Sequence, residues 1–223
     1  MKTISFMWNM IFHPRQTSQR ILEEKGISSS LWLILGFGIV FASSFLISYF
    51  AGDYPPPSAD LQTWIDAWGE FTMLPFVKVP AESYRLVQAI FMLPLMFAIW
   101  ILMAGSARML SILFGGKVSF DQYANLLVFS FFPFWILATI FDAILSGLLG
   151  DFVLAALRME YGVLIKNVIS TFYPVMYTLL FGLGGVYNGI VTHQAERFSF
   201  WKVFLIGLVT FFWPNFLAAI LLR

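Results

Sequence analysis

Five long runs of sequence carry no charged residue, and they constrain the fold more than anything else in the chain. They lie between Lys25 and Asp53, Arg85 and Arg108, Asp121 and Asp142, Lys166 and His193, and Lys202 and Arg223. A hydrocarbon core about 30 Å thick takes roughly 20 apolar residues of helix to cross. Within the bilayer only a helix or a closed barrel can satisfy every backbone N–H and C=O. Runs of this length predict an all-α polytopic membrane protein, a bundle of five transmembrane helices with spans near residues 31–50, 86–107, 123–149, 168–191 and 203–222. Composition agrees. The 223 residues are 60% hydrophobic and 11% charged, against roughly 25% charged in a soluble domain. Too few charges remain to build a water-facing surface.

The same numbers exclude several function classes. A net charge of +1 gives no field that would draw in nucleic acid. With no cysteine there is no disulfide, thiolate nucleophile or cysteine-ligated metal. Two histidines far apart in sequence, His13 and His193, are a poor basis for a zinc site. No HExxH, GxSxG, Walker loop or dinucleotide fingerprint is present. The spans gather no acids, histidines and nucleophile at one depth, as an intramembrane enzyme requires. The expectation is a protein without catalytic residues, cofactor or metal.

Orientation follows from the distribution of Lys and Arg. With the N-terminus cytoplasmic, the inner side holds eight basic residues (Lys2, Arg15, Arg20, Lys25, Arg108, Lys117, Arg197 and Lys202) and the outer side five. The expected topology is N-terminus in and C-terminus out, in a bacterial cytoplasmic membrane. Residues 1–30 form a cytoplasmic or interfacial segment ahead of the membrane domain, 31–223. In that segment Thr17 to Lys25 reads as a short helix with Ile21 and Leu22 on one side, lying on the membrane surface. In the outer loop, Leu61, Trp64, Ile65, Trp68 and Phe71 recur at helical spacing after three prolines. They predict a second interfacial helix, either a connector or a docking platform. A third short helix is expected around Phe152 to Tyr161.

Two lead-ins on the inner side resemble each other. Gly115-Gly116-Lys117-Val118-Ser119-Phe120 precedes the third span, and Arg197-Phe198-Ser199-Phe200 precedes the fifth. Ser119 and Ser199 are positioned as N-caps, and Ser119 with Gln122 fits a capping box. Each following span contains two aromatics and a proline, at Pro133 and Pro214. Duplication of a two-span hairpin would account for the echo. Pro94 and Pro174 put prolines in two further spans, and each frees a carbonyl.

Few residues could carry chemistry. Asp142, the acid in an apolar run, sits about 28 Å beyond Tyr123 at 1.5 Å per residue, near the outer headgroups. It reads as a proton-relay group or as an interfacial aspartate. His193 reads as a pH sensor, a partner contact or an interface marker. Gly185 and Gly189 form a GxxxG, with Gly182 beside it, a small-residue face that lets helices approach closely.

The layout resembles the Yip domain family, small multipass proteins named for interaction with Ypt/Rab GTPases. The likeness rests on Trp8, Pro14, Thr17 and Ile21 ahead of the first span. It rests also on the Gly115–Phe120 lead-in followed by Tyr123 and Pro133, and on Gln194 to Lys202 before the last span. The long polar N-terminal tail and DLYGP-type motif of the eukaryotic trafficking members are absent, which places the likeness nearer the prokaryotic branch. The resemblance implies a non-enzymatic organiser or adaptor, working in the lipid bilayer through helix packing with other membrane proteins or with itself. Its structural candidates are Gly115, Gly116, Ser119, Phe120, Pro133, Gly185 and Gly189. A small permease, channel or lipid-translocating subunit is the alternative, motivated by proline-containing spans and by the serine stripe Ser43, Ser44 and Ser48.

Overall fold

A computed structural model describes residues 2–23, 26–52, 72–74, 77–78, 83–156 and 162–221. Among the described residues seven helices run in order: α1 (Lys2–Phe12), α2 (Pro14–Glu23), α3 (Ser28–Phe50), α4 (Tyr84–Leu113), α5 (Phe120–Ala156), α6 (Gly162–Glu196) and α7 (Phe200–Leu221). A two-stranded antiparallel ribbon, β1 (Thr72–Leu74) and β2 (Val77–Lys78), pairs Thr72 with Lys78 and Leu74 with Val77. It is the departure from an all-α chain among the described residues. The outer-loop helix expected over Leu61 to Phe71 lies outside them. The separate helix expected from Phe152 is corrected as far as Ala156, because α5 continues unbroken to that residue.

Four helices are long and apolar enough to cross a membrane among the described residues: Ser28–Phe50, Tyr84–Leu113, Phe120–Phe141 and Phe200–Leu217. Along the fourth predicted span runs α6, which is 35 residues long. Helices α4, α5 and α6 overrun their charge-free stretches at both ends and α7 does so at its start, since a helix continues past the hydrocarbon edge into the headgroup layer, while α3 stays within its own. At the N-terminus the expected single helix is two. Pro14 opens α2, where its missing N–H is no loss. His13 N still donates to Asn9 O (2.7 Å), closing α1.

Helices α4, α5, α6 and α7 pack as a ring, each against its two neighbours, and α3 leans on α4 and α5. The interior belongs to α5: 72% of its spanning window is buried, against 22% for α3. That contrast follows from sequence. Tyr123 through Trp135 is an almost uninterrupted apolar and aromatic run, buried at every position including Pro133. Its rings form a box with neighbouring helices. Phe131 and Trp135 lie 5.8 Å and 5.6 Å from Phe181 of α6, and Phe132 lies 5.5 Å from Phe37 of α3. Lipid tails are as apolar as these side chains, so close packing rather than water exclusion holds the bundle. Small residues permit the approach. A Cβ at Gly38 would run into Leu93, and one at Gly184 into Phe131.

Buried polar side chains add directed ties. Asn188 of α6 accepts from Ser130 Oγ of α5 (2.5 Å) and donates to Thr210 Oγ1 of α7 (3.1 Å), so one amide joins three helices. Trp100 Nε1 of α4 donates to Ala124 O of α5 at 2.8 Å. Asn125 of α5 accepts from Ser30 Oγ and donates to Gly26 O (2.7 Å), pinning the start of α3.

Candidate functional site

The end of the bundle that carries α1, α2 and the turns 114–119 and 197–199 holds nearly all the described polar structure. Its first feature is a knot between the two turns. Helix α4 ends in a Schellman arrangement. Gly115 has φ 84°, Gly115 N donates to Ile112 O (3.0 Å), and Gly116 N donates to Ser111 O (2.7 Å). Gly116 cannot be larger, because a Cβ there would meet Ser111 Oγ, the Glu196 carboxylate and the Phe198 ring. Ser119 and Gln122 then cap α5 reciprocally: Ser119 N donates to Gln122 Oε1 (2.9 Å) and Gln122 N to Ser119 Oγ (3.3 Å). Gln122 Nε2 also reaches Leu22 O at 3.1 Å, tying α2 to the same corner.

Glu196, the last residue of α6, sits at the centre of the knot. A carboxylate at a helix C-terminus opposes the helix dipole, so it needs donors from elsewhere. Ser111 Oγ donates at 2.6 Å, Lys117 N at 2.8 Å, Val118 N at 2.9 Å and Tyr123 OH at 3.4 Å. Burial by itself raises the carboxyl pKa. The donors from Ser111, Lys117, Val118 and Tyr123 outweigh it and hold the group below the usual carboxylate range. Beside it, Lys202 Nζ donates to Phe114 O (3.2 Å) and lies 5.4 Å from the centres of both the Phe114 and Phe198 rings.

The second feature is a groove of about 1690 Å³ outside the ring, walled by the α1–α2 junction, α6 and α7. It is larger than the roughly 300–1,000 Å³ of an ordinary small-molecule cleft. Its floor is made by glycines. Gly185 and Gly189 pack on α7, where a Cβ on Gly207 would stand 3.0 Å from Gly185 O. The backbones of α6 and α7 therefore touch at the base, and Gly182 leaves open space above. The α1–α2 wall is held by Tyr187 OH donating to Ile11 O (2.9 Å) and Ser18 Oγ donating to Gln194 Oε1 (2.6 Å).

The structure divides the sequence candidates between these features. Gly115, Gly116 and Ser119 belong to the knot. Gly185, Gly189 and His193 line the groove, and His193 Nδ1 also meets Phe198 O at 2.8 Å across the α6–α7 turn. Phe120 is partly exposed at the start of α5, and Pro133 is buried inside that helix. Asp142 is carried on α5, but its side chain lies outside the described residues. Ser43 and Ser44 are exposed on α3, away from the groove, and Ser44 Oγ bonds its own helix at Phe41 O (2.8 Å).

Sequence reasoning missed Glu196, Ser111, Asn188 and Arg197 as key residues. A carboxylate ending a helix opposite a GGKVS loop was the available signal for Glu196. No signal marked Arg197, whose backbone is left-handed at φ 55°. Among the described residues no group of three His, Asp or Glu side chains could hold a metal ion.

The Yip1 domain family model matches residues 8–222. No curated protein matches the chain, and no solved structure does. The family match starts at Trp8 on α1 and runs through both turns to the end of α7, so it takes in the knot and the groove alike. With nearly its whole length matched, this apolar, helical membrane protein belongs to the Yip1 domain family.

Proposed function

We propose that the protein is a non-enzymatic membrane organiser of five spans, with α6 as the fourth. Its N-terminus and knot are on the cytoplasmic side, and it holds a membrane-resident partner in the groove between α1–α2, α6 and α7. The basic residues support this orientation: Arg15, Arg20, Arg108, Lys117, Arg197 and Lys202 all lie at the knot end. The groove carries the reading. It is large and open on one side, yet its walls are fixed by the Asn188, Tyr187 and Ser18 bonds. The chemically able side chain nearby, Glu196, is committed to four intrachain donors. Among the described residues lining this rigid trough, His13 and His193 are accompanied by no acid, hydroxyl or amine, a lining that suits holding, not turnover.

For the GxxxG the sequence expectation is a small-residue face that lets helices approach closely, with no particular partner. Gly185 and Gly189 are engaged by α7 of the same chain, and they serve a partner by shaping the trough. Photo-crosslinking in native membranes tests the proposal. A crosslinking residue at Val186 or Leu208, both exposed in the groove, is compared with one at Ile101, exposed on α4. Discrete, saturable adducts from the groove positions alone are expected. The same diffuse pattern from all three would end it.

A transport role is the second reading, favoured by the size and sideways opening of the groove. Lipid scrambling by the purified protein in vesicles, lost when Gly182→Leu fills the open part of the floor, would establish it over simple holding.

A further inference from the structure

The groove is two-zoned, and the zones follow the bilayer. One end lies at the turns, where the α1–α2 junction contributes His13, Arg15 and Gln16 and the end of α6 contributes His193 and Arg197. The other end is apolar, formed by Gly182, Leu208 and Phe211. Along α7 the lining runs from Phe200 to Phe211, about 16 Å at 1.5 Å per residue. Half of a hydrocarbon core about 30 Å thick is about 15 Å. The trough thus has the depth of one leaflet, and its polar mouth falls at headgroup level.

The charge at that mouth has one sign. Among the described residues lining the groove the charged ones are Arg15 and Arg197, and there is no acid. Glu196, adjacent in sequence, is turned into the knot. Arg197 is also held where an L-residue other than glycine costs about 1 kcal/mol or more. A glycine would make the same turn without strain. Strain retained at a lining residue points to work done by its side chain.

Resting on the groove as the working site, we infer that its occupant is an anionic phospholipid of the cytoplasmic leaflet, with an acyl chain along the glycine floor and its phosphate facing Arg15 and Arg197. A spanning helix of another protein fits less well. It would need contact through the full thickness of the bilayer, and it brings no anion to the mouth. The narrow floor, where Gly185, Gly189 and Gly207 bring two backbones together, leaves a slot suited to a chain without side groups.

Arg197→Gly is the informative variant because its backbone already suits glycine, so the charge is removed while the turn is kept. Arg15→Gln spares the fold as well, since Ser18 Oγ bonds the backbone carbonyl of Arg15 (3.0 Å) and not its side chain. Lys117→Gln removes a cation from the same end but outside the groove. The experiment is native mass spectrometry of the purified full chain titrated with dioleoyl phosphatidylglycerol and dioleoyl phosphatidylcholine.

One phosphatidylglycerol per chain is expected, retained at least about fivefold better than phosphatidylcholine. Arg197→Gly and Arg15→Gln should each weaken retention by roughly fivefold, the effect of one basic residue near an anionic surface. Lys117→Gln should leave it unchanged. Equal retention of both lipids, or an equal loss with Lys117→Gln, overturns the inference. A protein adduct at Val186 in place of lipid also overturns it, while leaving the groove as the working site. Indiscriminate crosslinking at Val186, Leu208 and Ile101 removes the groove reading itself.

Discussion

At the turn after α4 the left-handed residue is Gly115; at the turn after α6 it is Arg197. Both turns close a long helix, both are followed by Ser-Phe, and both lead into a proline-containing helix. They differ in what surrounds them. The α4 turn is wrapped in partners: Glu196 takes its N–H groups, Lys202 takes Phe114 O, and Arg108 Nη1 approaches Gly116 O at 3.4 Å. The α6 turn folds Phe198 back against Phe114 and Lys202, its His193 Nδ1 meets Phe198 O, and Arg197 is left lining the groove. One turn is built to hold the bundle together. The other accepts strain to place a cation at an open mouth.

The largest expected effect tests the first half of that contrast. Glu196→Ala strips the acceptor from Ser111, Lys117 and Val118. Leaving such donors unmet costs about 2 kcal/mol or more, so thermal unfolding in detergent should fall by several degrees. Gly116→Ala should cost about 2 kcal/mol through overpacking against Ser111 and Phe198, again read as a lowered melting temperature. A loss below half a kcal/mol for both would mean that the knot is not structural.

The acid response follows from Glu196. Its carboxyl sits below the unfolded value of about 4.3. Its stabilisation is therefore complete above that pH and is lost as pH falls through the lower folded value. The wild type should lose stability in that acid range, while Glu196→Gln, weaker throughout, should show a flatter profile. Parallel profiles would exclude Glu196 as the titrating group.

The smallest effects separate the two turns directly. Gly115→Ala should cost about 1 kcal/mol, because φ 84° disfavours any Cβ. Arg197→Gly should be neutral or stabilising by up to about 1 kcal/mol from relieved strain, less what the more flexible unfolded chain takes back. Opposite signs in a melting experiment sharpen the comparison. Equal losses at the two positions would erase it.

The distribution of charge made the membrane helices legible, because desolvating a charge in hydrocarbon is costly enough to mark each boundary. The Ser119–Gln122 cap was legible too, being local. Helix ends were placed several residues short, since Ser28 to Ser30 and Gly162 to Lys166 continue helices beyond the apolar core. What stayed hidden depends on distant pairing. Ser111 and Glu196 are 85 residues apart, and no periodicity links them. The groove sets the α1–α2 junction against the far later α6 and α7, and its Ser18–Gln194 tie spans 176 residues. The serine stripe on α3 lies apart from the groove, and polar spacing along one helix does not reveal which face its neighbours leave open.

The Asn188 amide has a consequence for the order of synthesis. Ser130 belongs to α5 and reaches the membrane before Asn188, so the carbonyl oxygen of the amide finds its donor as soon as α6 inserts. The nitrogen must wait for Thr210, on α7, which is made after α6. Until α7 arrives, the growing chain carries an amide N–H in hydrocarbon without its final acceptor, and arrival of α7 removes that defect. Arrival of α7 is thus written into the bundle as the satisfaction of one buried donor, and a chain stopped before Thr210 lacks a directed tie between α6 and α7 as well as the residues themselves.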